Sequence, residues 1–257
     1  MKTFDKITIL IPCHNEEKGI GSVIDGIPLR LLRRLRYKTE VIVINNNSTD
    51  RTAHIAEKRK ATVLLETKKG KGNAIKAGFN AVSSDTKYVV MLDGDNTYKT
   101  KEILRLIEPL MSNFCDVVIG SRLSGKMKKN SFKFQNRIVN WIYTFIVRQF
   151  YGANITDVLS GYFAWKKEVV DKLSPHLESE GFEIEMEMIT KMTKLGFEMY
   201  SVPITYDERV GQTKIEAIND GIRILSMFFK NLSWSPKKRE TRRSNFNPVL
   251  RLLNYEK

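Results

Sequence analysis

The sequence is poor in cysteine: 257 residues contain only Cys13 and Cys115, each inside an apolar run. A disulfide scaffold is therefore not expected, both thiols read as small core hydrophobes, and a reducing cytosolic setting is favoured. Long apolar runs are missing too. The nearest, "IVNWIYTFIV", is broken by Asn140 and flanked by Arg137 and Arg148, short of the roughly 18 residues a spanning helix needs. The N-terminal "ITILIPC" is too short for a secretion signal and runs straight into "HNEE". Integral insertion of this chain in a membrane is not expected. Acidic charge is scarce as well, with 29 Asp and Glu against 43 Lys and Arg and a formal net charge of +14. That excess asks for an anionic partner, whether nucleotide phosphate, nucleic acid or anionic lipid, and does not choose among them. There is no internal repeat and no low-complexity linker, and the length suits one domain with a good core.

What is present is a series of β-branched apolar runs: "ITILIP", "EVIVIN", "ATVLLE", "YVVMLD" and "DVVIGS", starting at residues 7, 40, 61, 88 and 116. Their hydrophobicity is continuous, which predicts strands buried on both faces, as in a parallel sheet with crossover helices. Helices are predicted at 17–25, at 50–60 capped by Ser48, Thr49 or Asp50, at 72–82, and at 100–112 behind Thr100. The class is α/β, and each polar turn after a strand falls on one sheet edge, where open parallel sheets bind ligands. In the second half, 122–137 reads as a Lys-rich loop, 138–151 as a very apolar helix, and 156–170 and 182–206 as mixed helix and strand. Over 216–232, Ile218, Ile222, Leu225, Phe229 and Leu232 share a helical face. A basic tail follows at 236–257.

Three strand-end loops carry the chemistry. In "LDGDNTY", Asp93 and Asp95 leave a strand through a glycine turn and can converge on one divalent cation that also takes diphosphate oxygens. The "IPCHNEE" loop sets His14, Asn15 and Glu16 beside it, and "INNNSTDRT" adds Asn45, Asn46 and Asp50. The stretch "ETKKGKGNA", with two glycines and three lysines before a helix, looks like a phosphate-cradling loop without the full Walker spacing, which disfavours a nucleoside triphosphatase.

Taken in order, "ILIPCHNEEKGIGSVI", "VIVINNNSTDRT", "KGKGNAIKAGF", "VVMLDGDNTY", "VIGSR", "TDVLSGYFAWKKEVV", "GFEIEMEM" and "VPITYDERVGQTKI" resemble the family 2 glycosyltransferases, most of all the polyprenyl-phosphate (dolichyl-phosphate) sugar transferases. The resemblance spans about residues 7–230. It implies a GT-A fold with a mostly parallel central sheet flanked by helices: a Rossmann-like nucleotide-sugar half over 1–121, an acceptor half over 122–235, and the tail outside this single domain. It further implies a UDP- or GDP-linked sugar donor, Mg2+ or Mn2+, and inversion at the anomeric carbon. Asp93 and Asp95 match the metal and diphosphate motif. Pro12, Asn15, Glu16 and Asp50 match positions shaping the nucleoside pocket; Gly70, Lys71 and Gly72 match the base- and ribose-side loop. Where the family carries an acidic pair, this chain has Asn45 and Asn46, amides that can still meet a base edge. Arg209 and Lys214 resemble the mobile loop that closes on the diphosphate, and Arg122 and Arg137 the residues that hold a lipid phosphate. Asp157 matches an acidic position near the active site.

The acceptor decides whether a base is needed. A lipid monophosphate is already anionic at neutral pH, its second pKa lying near ~6; a saccharide hydroxyl would need a base, for which Asp157 or Glu183 is the candidate. Glu183 and Glu185 also fit a helix face turned to water. The run from Lys126 to Arg137, with Phe132, Phe134, Trp141, Tyr143 and Phe145 nearby, has the composition of a segment lying in a bilayer interface, and 218–232 invites the same reading. Peripheral attachment to the anionic, cytoplasmic face of a membrane is therefore expected. The alternatives are a soluble family 2 enzyme acting on a saccharide hydroxyl and, more remotely, an aspartate-nucleophile phosphatase, whose D-x-D-x-T pattern "DGDNT" fits. An RNA-binding module would need stacking aromatics on an exposed sheet, whereas these cluster in helical segments, so no nucleic acid partner is expected.

Overall fold

A computed structural model of the chain describes residues 4–129, 131–211 and 217–236. Its strands are β1 (Asp5–Cys13), β2 (Tyr37–Asn45), β3 (Thr62–Leu65), β4 (Thr86–Met91), β5 (Val117–Met127), β6 (Phe163–Lys166) and β7 (Met199–Tyr206). They form one sheet in the order β3-β2-β1-β4-β6-β5-β7. Neighbours pair in parallel except around β6, which lies antiparallel between β4 and β5. The helices are α1 (Ile20–Asp25), α2 (Leu29–Arg34), α3 (Thr52–Lys58), α4 (Lys71–Ala81), α5 (Ile103–Met111), α6 (Phe134–Tyr151), α7 (Lys167–Leu173), α8 (Ile184–Lys194) and α9 (Ala217–Ser233).

The continuous hydrophobicity of the strands has the anticipated cause, since alternate side chains enter different cores. Ile7, Ile9 and Ile11 of β1 and Val90 of β4 pack with α1, α2, α3 and α5. Leu10, Ile42, Ile44, Val89 and Met91 face the other way, into a core closed by α4 and α6 to α9. Each fully buried branched side chain contributes roughly 1.5–3 kcal/mol, so a strand serving two cores is held from both sides. Crossover helices then return every β1–β4 loop to the same carboxyl edge.

Three local readings change. The helix foreseen at 17–25 starts at Ile20, and a second one, α2, follows behind Pro28. Residues 122–127 are strand and not loop: β5 runs on as the partner of β7, with Lys126 opposite Thr205 and Met127 opposite Tyr206. From Leu123 on, the extension lies beyond the core, so its positions alternate between half-buried and exposed and leave no apolar run to read. The long helix begins at Phe134, four residues earlier than 138. On α9 the predicted stripe is outside: Ile218 is 78% and Ile222 64% exposed, whereas Ile224, Met227 and Phe228 pack inward. No helix among the described residues is long and apolar enough to cross a membrane. Of the basic tail, only residue 236 lies within the described residues.

Candidate active site

At the carboxyl edge of β1, β2 and β4 opens a cleft of about 610 Å³. Pro12 and Glu16 line it from the β1 loop, Asn46 from the β2 loop, Gly70 and Lys71 from the start of α4, Asp93 and Asp95 from the β4 loop, and Arg209 from the loop after β7.

The β4 loop turns where it does for steric reasons. A Cβ on Gly94 would stand 2.4 Å from Cys13 Sγ, so a side chain there would push β1 and the loop apart. Asp95 then folds back on its own turn: its Oδ1 accepts from Thr97 N at 3.0 Å and from Thr97 Oγ1 at 2.6 Å. Its other oxygen, Oδ2, is buried and makes no directed hydrogen bond. It lies 2.6 Å from Arg209 Nη2, a charge contact without hydrogen-bond alignment. Asp93 Oδ1 is 3.0 Å from Lys71 Nζ, which also reaches Glu185 Oε1 at 2.6 Å. A glycine is required beside it, because a Cβ on Gly161 would lie 2.6 Å from Asp93 Oδ2, and Gly161 N is held by Tyr98 Oη at 2.8 Å.

The charges respond to this crowding. Burial alone would push the Asp93 carboxyl up, but Lys71, helped by Arg209 and Arg122, outweighs it and holds Asp93 below the usual carboxylate range. For Glu185 burial wins over Lys71, and its carboxyl is pushed up. Burial would lower both Lys71 and Arg209, yet the carboxylates around them raise each above its ordinary value. Asp95 acts most strongly among the carboxylates on Arg209, followed by Asp93 and Glu16.

The loops assigned to the nucleoside are tied together more than they are displayed. Asn46 Nδ2 donates to Lys68 O at 2.7 Å and to Glu66 O at 3.3 Å, while its Oδ1 accepts from Gly70 N at 2.8 Å. Only an amide can do all three, which explains an Asn where the family carries a carboxylate; its side chain is spent on the β3–α4 loop and not on a base edge. Asn45 Oδ1 accepts from Ser48 N, Asn15 Oδ1 from Thr49 N, and Asp50 from Glu17 N and Thr52 N. None of these three is among the residues that line the cleft.

The Gly70–Gly72 loop is likewise not a phosphate cradle. Gly72 N donates to Glu180 O at 2.9 Å and Gly70 N to Asn46, so both amides are spent inside the protein. Their glycines serve close approach: Gly70 has φ 129°, and a Cβ there would stand 2.1 Å from Glu180 O. What the loop delivers to the cleft is the Lys71 side chain.

Asp157 is tied into the protein interior. It is fully buried, its Oδ2 accepts from Arg122 N and Nε at 2.8 Å, and its Oδ1 accepts from Arg122 Nη2 at 2.8 Å and Asn140 Nδ2 at 2.6 Å. The same bonds spend the bidentate edge of Arg122, whose guanidinium also lies 4.7 Å from the Phe132 ring and 5.4 Å from the Tyr206 ring. Nε and Nη2 of Arg122 are thereby engaged inside the protein, and these bonds leave its Nη1. Arg137 is exposed on the first turn of α6, one turn before Asn140. Lys214 lies outside the described residues. Glu183 Oε1 accepts from Glu180 N and Gly181 N, which makes it a turn-former at the head of α8.

Glu185 does not face water. Every residue of α8 from Ile184 to Met192 is buried, and Glu187 pairs internally with Lys191 at 2.6 Å. The Lys71–Glu185 pair was missed because alternating Glu and Met in a helix reads as a mixed face. The available signal was the absence of any polar stripe, together with Lys191 four residues after Glu187.

Residues 8–174 match the model of glycosyl transferase family 2. Glycosyltransferase AglJ of Haloferax volcanii is 35% identical over 233 residues, covering 86% of this chain and 70% of AglJ. The dolichyl-phosphate hexose transferase of the same organism is 28% identical, covering 86% of this chain and 92% of its own length. The chain spans 53% of a longer relative, the low-salt glycan biosynthesis hexosyltransferase Agl6, at 30% identity. Among solved structures, glucosyl-3-phosphoglycerate synthase of Mycobacterium tuberculosis, in complex with Mn2+ and uridine diphosphate, superposes with a TM-score of 0.67 at 21% identity over 91% of this chain and 82% of that one. That likeness is one of fold, and the fold is GT-A. With a nucleotide-sized cleft at the carboxyl edge of such a sheet and two aspartates at its floor, the chain belongs to glycosyl transferase family 2 and is a glycosyltransferase.

Proposed function

We propose that the protein transfers a sugar, with inversion, from a UDP- or GDP-sugar to a polyprenyl or dolichyl phosphate at the cytoplasmic surface of a membrane. The observation that carries this reading is that Asp157, a candidate base for a hydroxyl acceptor, has both carboxylate oxygens taken up by Arg122 and Asn140. A phosphate monoester needs none, because it arrives ionised. The name of the dolichyl-phosphate hexose transferase relative supports the same acceptor.

The residues present fit a divalent ion. Asp95 lines the cleft, and its buried Oδ2 lacks a directed hydrogen bond. Among the described residues no group of three or more His, Cys, Asp or Glu converges, so Asp93 and Asp95 would share the ion with diphosphate oxygens and water, as suits Mg2+ or Mn2+. When bound, the ion supplies Lewis-acid charge at the leaving diphosphate. Lys71 and Arg209 add fixed positive charge on that side, where negative charge grows as the anomeric bond breaks. Pro12, Glu16 and the Gly70 backbone shape the nucleoside end. Arg137 and the Nη1 edge of Arg122 are the cations offered to the acceptor phosphate.

The lipid would be met at α6 and α9. These helices lie side by side, Tyr143 Oη donating to Gly221 O at 3.1 Å and Tyr151 Oη to Phe228 O at 2.5 Å. They expose Phe134 (73%), Trp141 (60%) and Phe145 (50%) on α6 and Ile218, Ile222 and Phe229 on α9. Aromatics among cations suit a headgroup-level surface. The test is a donor screen with Mn2+ against one polyprenyl phosphate and one oligosaccharide. Product on the lipid phosphate is expected; product only on the oligosaccharide overturns the reading in favour of a saccharide-hydroxyl enzyme.

A further inference from the structure

We infer that the resting cleft keeps its two aspartates neutralised by the chain's own cations, so that the divalent ion enters as its complex with a nucleoside diphosphate and not alone. This deepens, and rests on, the metal role given above to Asp93 and Asp95.

Four carboxylate oxygens are available at the β4 loop, and three are engaged. Asp95 Oδ1 carries both Thr97 donors, at 3.0 and 2.6 Å. Asp95 Oδ2 faces Arg209 Nη2 at 2.6 Å. Asp93 Oδ1 faces Lys71 Nζ at 3.0 Å, and Glu185, 2.6 Å away on the other side, fixes that ammonium in place. The remaining oxygen, Asp93 Oδ2, is walled by Gly161.

A bare ion entering this site has to displace Arg209 from Asp95, and the guanidinium would then lie beside a second positive charge. A nucleoside diphosphate changes both halves of that exchange. Its oxygens complete the ion's shell, and its negative charge gives Arg209 and Lys71 new partners in place of the carboxylates they release. Arg209 has the means to change partner without the loop leaving. Val210 N is bonded to Asp95 O at 3.2 Å and Asp207 N to Thr97 O at 2.9 Å, so the backbone on both sides is pinned to the aspartate turn. The Arg209 side chain itself is 27% exposed and lines the open cleft. Ion and diphosphate therefore favour each other, while ion and Arg209 compete for Asp95; by linkage each coupling is reciprocal.

The experiment is equilibrium dialysis of Mn2+ against the whole chain, alone and with UDP or GDP, counting protein-bound manganese, with melting curves to verify folding. The wild type is expected to bind Mn2+ alone at least about tenfold more weakly than with one of the two nucleotides, and Arg209→Gln to tighten binding of Mn2+ alone by roughly tenfold, within the usual range of site coupling. Asp95→Asn keeps an oxygen for Thr97 and is expected to lose Mn2+ under both conditions. Equal wild-type affinity with and without either nucleotide, or an Arg209→Gln variant no tighter than wild type for Mn2+ alone, overturns the inference. If Asp95→Asn still binds Mn2+ with nucleotide as the wild type does, the metal role itself falls; if Asp95→Asn loses the ion while Arg209→Gln changes nothing, only the present inference does.

Discussion

Replacing Asp157 by asparagine changes one atom and separates two roles for this carboxylate. Asp157 accepts four hydrogen bonds, two on each oxygen, three of them from Arg122 and one from Asn140. An asparagine amide can place its oxygen on one pair of donors only, and its NH2 then confronts the other pair. Arg122, 7% exposed and held well above its ordinary pKa by the Asp157 charge against burial, keeps its cation without a counter-charge. Breaking one side of a buried pair costs about 3–5 kcal/mol. For a chain of this size each kcal/mol lowers the melting midpoint by about 2–4 °C, so a drop of about 6–20 °C is expected. Thermal unfolding followed by circular dichroism measures it, and turnover per folded molecule, assayed well below the variant's midpoint, is expected to fall less than about tenfold. A base would behave in the opposite way. If Asp157→Asn melts within about 2 °C of the wild type and loses 10²-fold or more in kcat, on the scale of general-base catalysis, the anchoring argument is refuted.

Asn46→Asp removes two donors and sets a negative charge against Lys68 O and Glu66 O; a loss of about 1–3 kcal/mol in stability is expected, with faster hydrogen exchange at the Gly70 amide, and unchanged exchange there would refute the clamp. Because Asp93 is held below the usual carboxylate range, its pairing stabilises the fold above about pH 4 and is lost as pH falls through the folded value. Asp93→Asn should therefore flatten the acid limb of the stability profile, and an acid limb identical to that of the wild type would count against the pairing. Trp141→Ala with Phe145→Ala, which removes a stacked and half-exposed pair, should weaken binding to anionic vesicles by about 30- to 150-fold, at roughly 2–3 kcal/mol for the apolar area withdrawn. Vesicle co-sedimentation measures this, and added salt should weaken what remains.

Strand order along the chain, the α/β class and the aspartate turn were readable from residues alone, because runs such as Val89 to Met91 need two buried faces and a D-G-D turn needs a strand to end. Asp93, Asp95, Lys71 and Arg209 could be nominated from motif order and do meet in one cleft. Their pairings could not be read. Arg122 lies 35 positions from Asp157, and Lys71 reaches Glu185 across more than a hundred residues, so neither partner leaves a local pattern. The same holds for the face of a helix: Ile218 and Ile224 are equally apolar, and only the neighbours packed by the sheet and α8 settle which one is buried. Side-chain chemistry and local spacing act within a few residues, whereas whether a carboxylate serves as a base, a metal ligand or an anchor depends on which distant donors the fold brings to it.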